Sequence, residues 1–171
     1  MSGGERRNMV ASMLVIGIGN AYRSDDGVGP AVARALQTKN LPGVQCKEDL
    51  GDTLSLIEQW DTADTVILID AVCSGAEPGT IYRFDALAQP IPTSIPLRST
   101  HFLSLAEALS IADILHRLPS RLIVYGIEGE NFSAGVSLSP QVEDALHGVV
   151  EQVEHECRSS SSCPLFPPLL E

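Results

Sequence analysis

Positive charge is scarce in this chain. Eleven Lys and Arg stand against 22 Asp and Glu, for a formal net charge of −11 and an isoelectric point near 4.7. Nucleic acids and anionic membrane surfaces both require a cationic face, so neither is an expected partner. Long apolar runs are missing too. The longest are strand-sized, which excludes a transmembrane helix from the reading. The start, "MSGGERRNMVASM", makes a poor signal peptide, because Gly17, Gly19 and Asn20 interrupt the apolar run behind it. The four cysteines, Cys46, Cys73, Cys157 and Cys163, form no C-x-x-C pair, which argues against zinc-ribbon and thioredoxin-like chemistry. Without an export signal they read as reduced thiols of a cytosolic protein.

Several catalytic signatures are also lacking. There is no G-x-S-x-G elbow, no H-E-x-x-H and no Gly-Lys-Ser/Thr loop. The segment "VIGIGNAYRSDDGVGP" (15–30) begins like a dinucleotide fingerprint. Tyr22 occupies the third glycine position, however, and Asp25 and Asp26 follow where a pyrophosphate would be repelled. A nucleotide-binding α/β domain is therefore the weakest reading of this turn.

What is present is an alternation of strands and helices over 171 residues that are 44% apolar, with a mean hydropathy of +0.11. "MLVIGIG" (13–19), "GVQCKED" (43–49), "DTVILIDAV" (64–72) and "RLIVYGI" (121–127) read as strands. "PGTIYRFDAL" (78–87) follows a Pro-Gly turn, alternates in polarity and reads as a strand near one edge. Helices are expected over 29–39, 53–60, 101–117 and 139–156. In the second, Leu54, Ile57 and Glu58 are spaced by turns, and the third would present Phe102, Leu105, Ala106, Leu109 and Ala112 as one stripe. Ser139 is placed to cap the last, with Pro140 at its first position. "AQPIPTSIPLRST" (88–100) is too proline-rich to be anything but loop. Strands linked by helices imply a three-layer α/β/α sandwich with a mostly parallel sheet of about five strands. Residues 13–157 would form one domain, a good size for a monomer, after an N-terminal extension (1–12). The serine- and proline-biased "RSSSSCPLFPPLLE" (158–171) would lie outside the packing as a flexible tail.

In an open parallel sheet, ligands bind beyond the carboxyl ends of the strands. Asp25 and Asp26 follow the first strand, and Asp49 and Asp52 the second. Asp70 closes the third, His101 opens a helix, and Glu128 and Glu130 follow the last strand. Asp70 stands out because it sits directly against "VILI", where an unpaired carboxylate is costly. An Asp, Asp, His set suits a borderline divalent cation such as nickel or zinc and leaves coordination positions open. The same residues have plainer readings. Asp25 or Asp26 can cap the following helix, Asp70 can cap a loop, and His101 can make a structural hydrogen bond. His116, His147 and His155 read as solvent-facing on helices, and Glu107 and Glu128 as surface charges.

Three segments together resemble the hydrogenase maturation proteases: "GIGNAYRSDDGVG" (17–29), "LIDAV" (68–72) and "STHFLSLAEAL" (99–109). The resemblance covers roughly residues 13–155. It implies the same α/β/α fold and an endopeptidase that removes the C-terminal extension of a nickel-iron hydrogenase large-subunit precursor once nickel is in place. It also implies that Asp26, Asp70 and His101 contact that nickel, which the precursor carries. Asp26 rather than Asp25 then takes the metal, and Asp25 supports the loop. Asp49 becomes a candidate general base or substrate-binding residue. "EDLGDTLSL" departs from the family's Asp-Gly-Gly-Thr pattern at Leu50, which bears on which hydrogenase is recognised. A non-catalytic, chaperone-like protein using the same site is the alternative.

Overall fold

A computed structural model describes residues 13–61, 63–89 and 102–160. The N-terminal extension, most of the proline-rich segment, His101 and nearly all of the C-terminal tail lie outside the described residues. The strands are β1 (Met13–Ile18), β2 (Val44–Asp49), β3 (Thr65–Val72), β4 (Ile81–Asp85) and β5 (Arg121–Glu128). The helices are α1 (Val28–Thr38), α2 (Thr53–Trp60), α3 (Phe102–Ile114) and α4 (Pro140–Ser160), with a short 3-10 helix at Ser24–Gly27. α4 thus runs three residues past the boundary expected at 157.

The sheet order is β2-β1-β3-β5-β4. The β1–β2, β1–β3 and β3–β5 pairs are parallel, and β4 closes one edge antiparallel to β5. Side chains alternate across each strand, so the central strands feed two separate cores. On one face Met13, Val15, Ile67, Ile69 and Ile123 pack with Val28, Val32 and Leu36 of α1 and with Val142, Val149 and Val153 of α4. On the other, Leu14, Ile16, Val66, Leu68 and Leu122 pack with Leu56, Ile57 and Trp60 of α2 and with Leu105, Ala108 and Ala112 of α3. The three-layer sandwich is therefore as the alternation implies.

On α2, Leu56, Ile57 and Trp60 face the sheet and Leu54 is 63% exposed. The face of α3 differs from the sequence reading: among the positions whose side chains are described, 105, 108 and 112 are buried and Ala106 points to solvent. Apolar composition allowed two stripes, and the side meeting the sheet decided between them. His116 is solvent-exposed but lies beyond α3, at φ 54°.

The topology locates the functional edge. From β1 the chain passes through α1 on one face to β2, then through α2 on the other face to β3. The strand order therefore reverses between β1 and β3, and a crevice opens at their carboxyl ends. The start of α1 presses into that crevice. A Cβ on Gly29 would lie 2.3 Å from the Ile18 carbonyl oxygen and 2.4 Å from that of Ile69, the last atoms of β1 and the residue before Asp70. Backbone cannot retreat from such a contact without moving α1 off the sheet. Gly29→Ala is expected to destabilise the protein by about 3 kcal/mol, measured by urea unfolding. A change below about 0.5 kcal/mol would show that α1 does not sit this close.

Candidate functional site

The acidic residues at the carboxyl edge fall into two groups by their partners. In the first, a carboxylate is occupied with holding a loop. Asp25 is completely buried. Its Oδ2 accepts the backbone N–H groups of Glu130 and Asn131, both at 2.8 Å, and the Ser139 hydroxyl at 2.8 Å, while Oδ1 accepts the Ser139 N–H at 2.6 Å. Burial pushes this carboxyl up. The N–H groups of Ser139, Asn131 and Glu130 and the Ser139 hydroxyl more than offset that and hold it below its ordinary value. Ser139 does precede α4, but its side chain serves Asp25. Backbone pairing reinforces the tie: Ser24 N–H donates to the Gly135 carbonyl, Asp25 N–H to that of Asn131, and Gly135 N–H to that of Tyr22.

Glu128 belongs to the same group and corrects the sequence reading. It is not a surface charge: only 1% of it is exposed. Its carboxylate accepts the N–H groups of Ser74 and Gly75 at 2.8 and 2.9 Å and the Ser74 hydroxyl at 2.7 Å. It thereby fixes the loop that leaves β3. The signal was available, since Glu128 ends the apolar run of β5 as Asp70 nearly ends that of β3, and the cost of an unpartnered carboxylate applies to both.

Asp49 is the third of this kind. At the end of β2 its Oδ1 accepts Gly51 N–H at 2.7 Å, and its Oδ2 accepts the Ser55 hydroxyl at 2.6 Å and the Gln59 side-chain amide. This shapes the turn into α2, where Gly51 has φ 85° and Asp52 caps the helix by accepting Ser55 N–H at 3.0 Å.

Asp26 and Asp70 form the second group. Asp26 is 5% exposed in the 3-10 helix, and its Oδ2 accepts Asn20 N–H at 2.9 Å. Its carbonyl oxygen would lie 1.9 Å from a Cβ on Gly19, whose φ of 136° suits glycine, so the turn after β1 folds directly under it. Asp70 is 3% exposed. It does not close β3, which continues through Ala71 and Val72, and it pairs in register with Gly126 of β5. The 3-10 helix that carries Asp26 packs near β3, the strand that carries Asp70. His101, the third residue of the expected set, lies outside the described residues. Among those described, no three His, Cys, Asp or Glu side chains group as a metal site, and no helix is long and apolar enough to cross a membrane. Cys46, Cys73 and Cys157 are free thiols, and burial pushes Cys157 up to about 12.

Residues 49–156 match the model of the hydrogenase maturation protease family. The chain is 30% identical over 142 residues to the hydrogenase expression/formation protein HupD of Thiocapsa roseopersicina, covering 81% of this chain and 64% of that protein. It is 29% identical over 153 residues to the hydrogenase 2 maturation protease of Escherichia coli, covering 86% and 92%. The fold matches that of the hydrogenase maturating endopeptidase HybD from E. coli with a TM-score of 0.69, at 29% identity, over 86% of this chain and 93% of that one.

The Asp25 clamp generates a pH-dependent expectation. Its folded pKa is depressed, so its contribution is present above the unfolded value of about 3.9 and is lost as pH falls through the folded one. Asp25→Asn should cost about 3 kcal/mol at pH 7, because the amide cannot accept all four donors. The gap from the parent protein should narrow below about pH 4. Urea unfolding of both proteins across pH 3 to 8 measures it, and a constant gap would refute the clamp.

Proposed function

This chain belongs to the hydrogenase maturation protease family, a family of endopeptidases, and we propose that it removes a C-terminal extension from a nickel-loaded nickel-iron hydrogenase large-subunit precursor. What supports this reading is that two carboxylates of the expected set, Asp26 and Asp70, are both buried and stand on neighbouring elements, the 3-10 helix and β3, in a sheet whose strand order reverses beside β3. Carboxylate oxygens taken out of water are costly to keep charged, and an arriving cation offsets that cost. The nickel of the precursor is such a cation, and it belongs to the substrate.

In this account Asp26 and Asp70 engage the nickel together with His101. An Asp, Asp, His set leaves positions open for the thiolates of the precursor. A loaded precursor is then drawn into register with the crevice and an empty one is not. The bound nickel supplies Lewis-acid polarisation near the peptide to be cut. The chain contributes the fixed orientation of its carboxylates: Asn20 N–H holds Asp26, and the β3–β5 pairing holds the backbone of Asp70. The three donors on the Asp49 carboxylate count against its role as general base and support one of shaping the loop after β2, in place of either role expected for it.

Asp26→Asn, Asp70→Asn and His101→Ala are each expected to slow trimming of a nickel-loaded precursor at least about 100-fold. The checking measurement is the mass of the large subunit over time. Normal trimming by all three variants would refute the site. Tight binding of the precursor by the parent protein without any trimming would indicate a chaperone.

A further inference from the structure

Beside the crevice, at the same edge of the sheet, lies an open cleft of about 670 Å³ between the loop after β1 and the loop after β2. Ala21, Tyr22, Pro30 and Leu50 supply its apolar lining, and Glu48 and Asp49 its charge. Two large apolar side chains in the lining are bare: Tyr22 is 75% exposed and Leu50 69%. Scattered exposed apolar residues call for no explanation, but two that line one cleft mark a surface that a partner can cover.

These side chains stand on backbone that is already fixed. Tyr22 N–H donates to the Asn20 side chain at 2.9 Å, and its carbonyl accepts Gly135 N–H at 3.0 Å. Leu50 sits between Asp49 and Gly51, the two ends of a 2.7 Å hydrogen bond. Binding therefore orders little more than the side chains, and an aromatic residue on rigid backbone makes an efficient anchor. The charge around them restricts what can be seated. Glu48, Asp49 and Asp52 line the cleft of a chain with net charge −11, and Arg34, paired with Glu48 at 2.8 Å, is half-exposed outside it. An acidic segment would be repelled.

The geometry points to this cleft, with Tyr22 and Leu50 bare in its lining, as the seat of an apolar, non-acidic stretch of the precursor polypeptide. The inference rests on the processing role proposed above. It adds a second contact: the crevice engages the metal, and the cleft holds the chain that runs away from it. Removing rim side chains should weaken docking and leave the chemical step alone.

The test uses the full chain and a nickel-loaded large-subunit precursor that retains its extension. Tyr22→Ser and Leu50→Ser are compared with Ile114→Ser, which alters an equally exposed residue at the end of α3 (77%). Each rim variant is expected to raise KM about tenfold with kcat within about twofold, and Ile114→Ser to change neither. An unchanged KM, or a fall in kcat alone, overturns the inference. If the parent protein binds the precursor without cutting it, the processing role fails. The cleft is then judged by the dissociation constant: about tenfold weakening in the rim variants upholds it, and equal binding overturns it. Failure of the parent protein to bind the precursor overturns both.

Discussion

The buried carboxylate of Asp25 ties the loop after β1 to the loop after β5 through four hydrogen bonds that span more than a hundred residues of sequence. β3 lies between β1 and β5 in the sheet, so the tie passes over the carboxyl end of the strand that carries Asp70. Gly129 marks how close the layers come: its N–H donates to the Val72 carbonyl, and a Cβ on it would lie 3.1 Å from that of Asp25. Asp70, on β3, is 3% exposed. Without the tie the 3-10 helix would lose its anchor, and Asp26 its fixed position.

The carboxylates at this edge fall into two groups. Asp25, Glu128 and Asp49 are saturated by donors and convert charge into loop geometry. Asp26 and Asp70 are buried at the same edge, on the 3-10 helix and on β3. N–H donors around a buried carboxylate such as Asp25 keep it ionised at little cost.

Most of the fold was legible because strand-sized apolar runs alternate with helical segments, and because Pro-Gly and Ser-Pro mark their limits. Even the edge position of β4 could be read from its alternating polarity. The errors differ in cause. Glu128 was legible in principle, because it ends the apolar run of β5. Ala106 has a side chain whose environment is set by elements distant in sequence, which local pattern does not report. Asp25 shows the same limit from the other side. Its supporting role was anticipated, but its partners at 130, 131 and 139 become neighbours only when β5 takes its place in the sheet. The rule for the carboxyl ends of parallel strands marks the wider acidic set at this edge, because topology could be inferred; singling out Asp26 and Asp70 from that set rests on the motif resemblance.

The central claim is that the crevice reads the nickel of its substrate. It is tested most directly by incubating the protein with loaded and nickel-free forms of one large-subunit precursor and following the mass of each. The account predicts that the loaded form loses its extension and the nickel-free form keeps it. Equal trimming of both would contradict it.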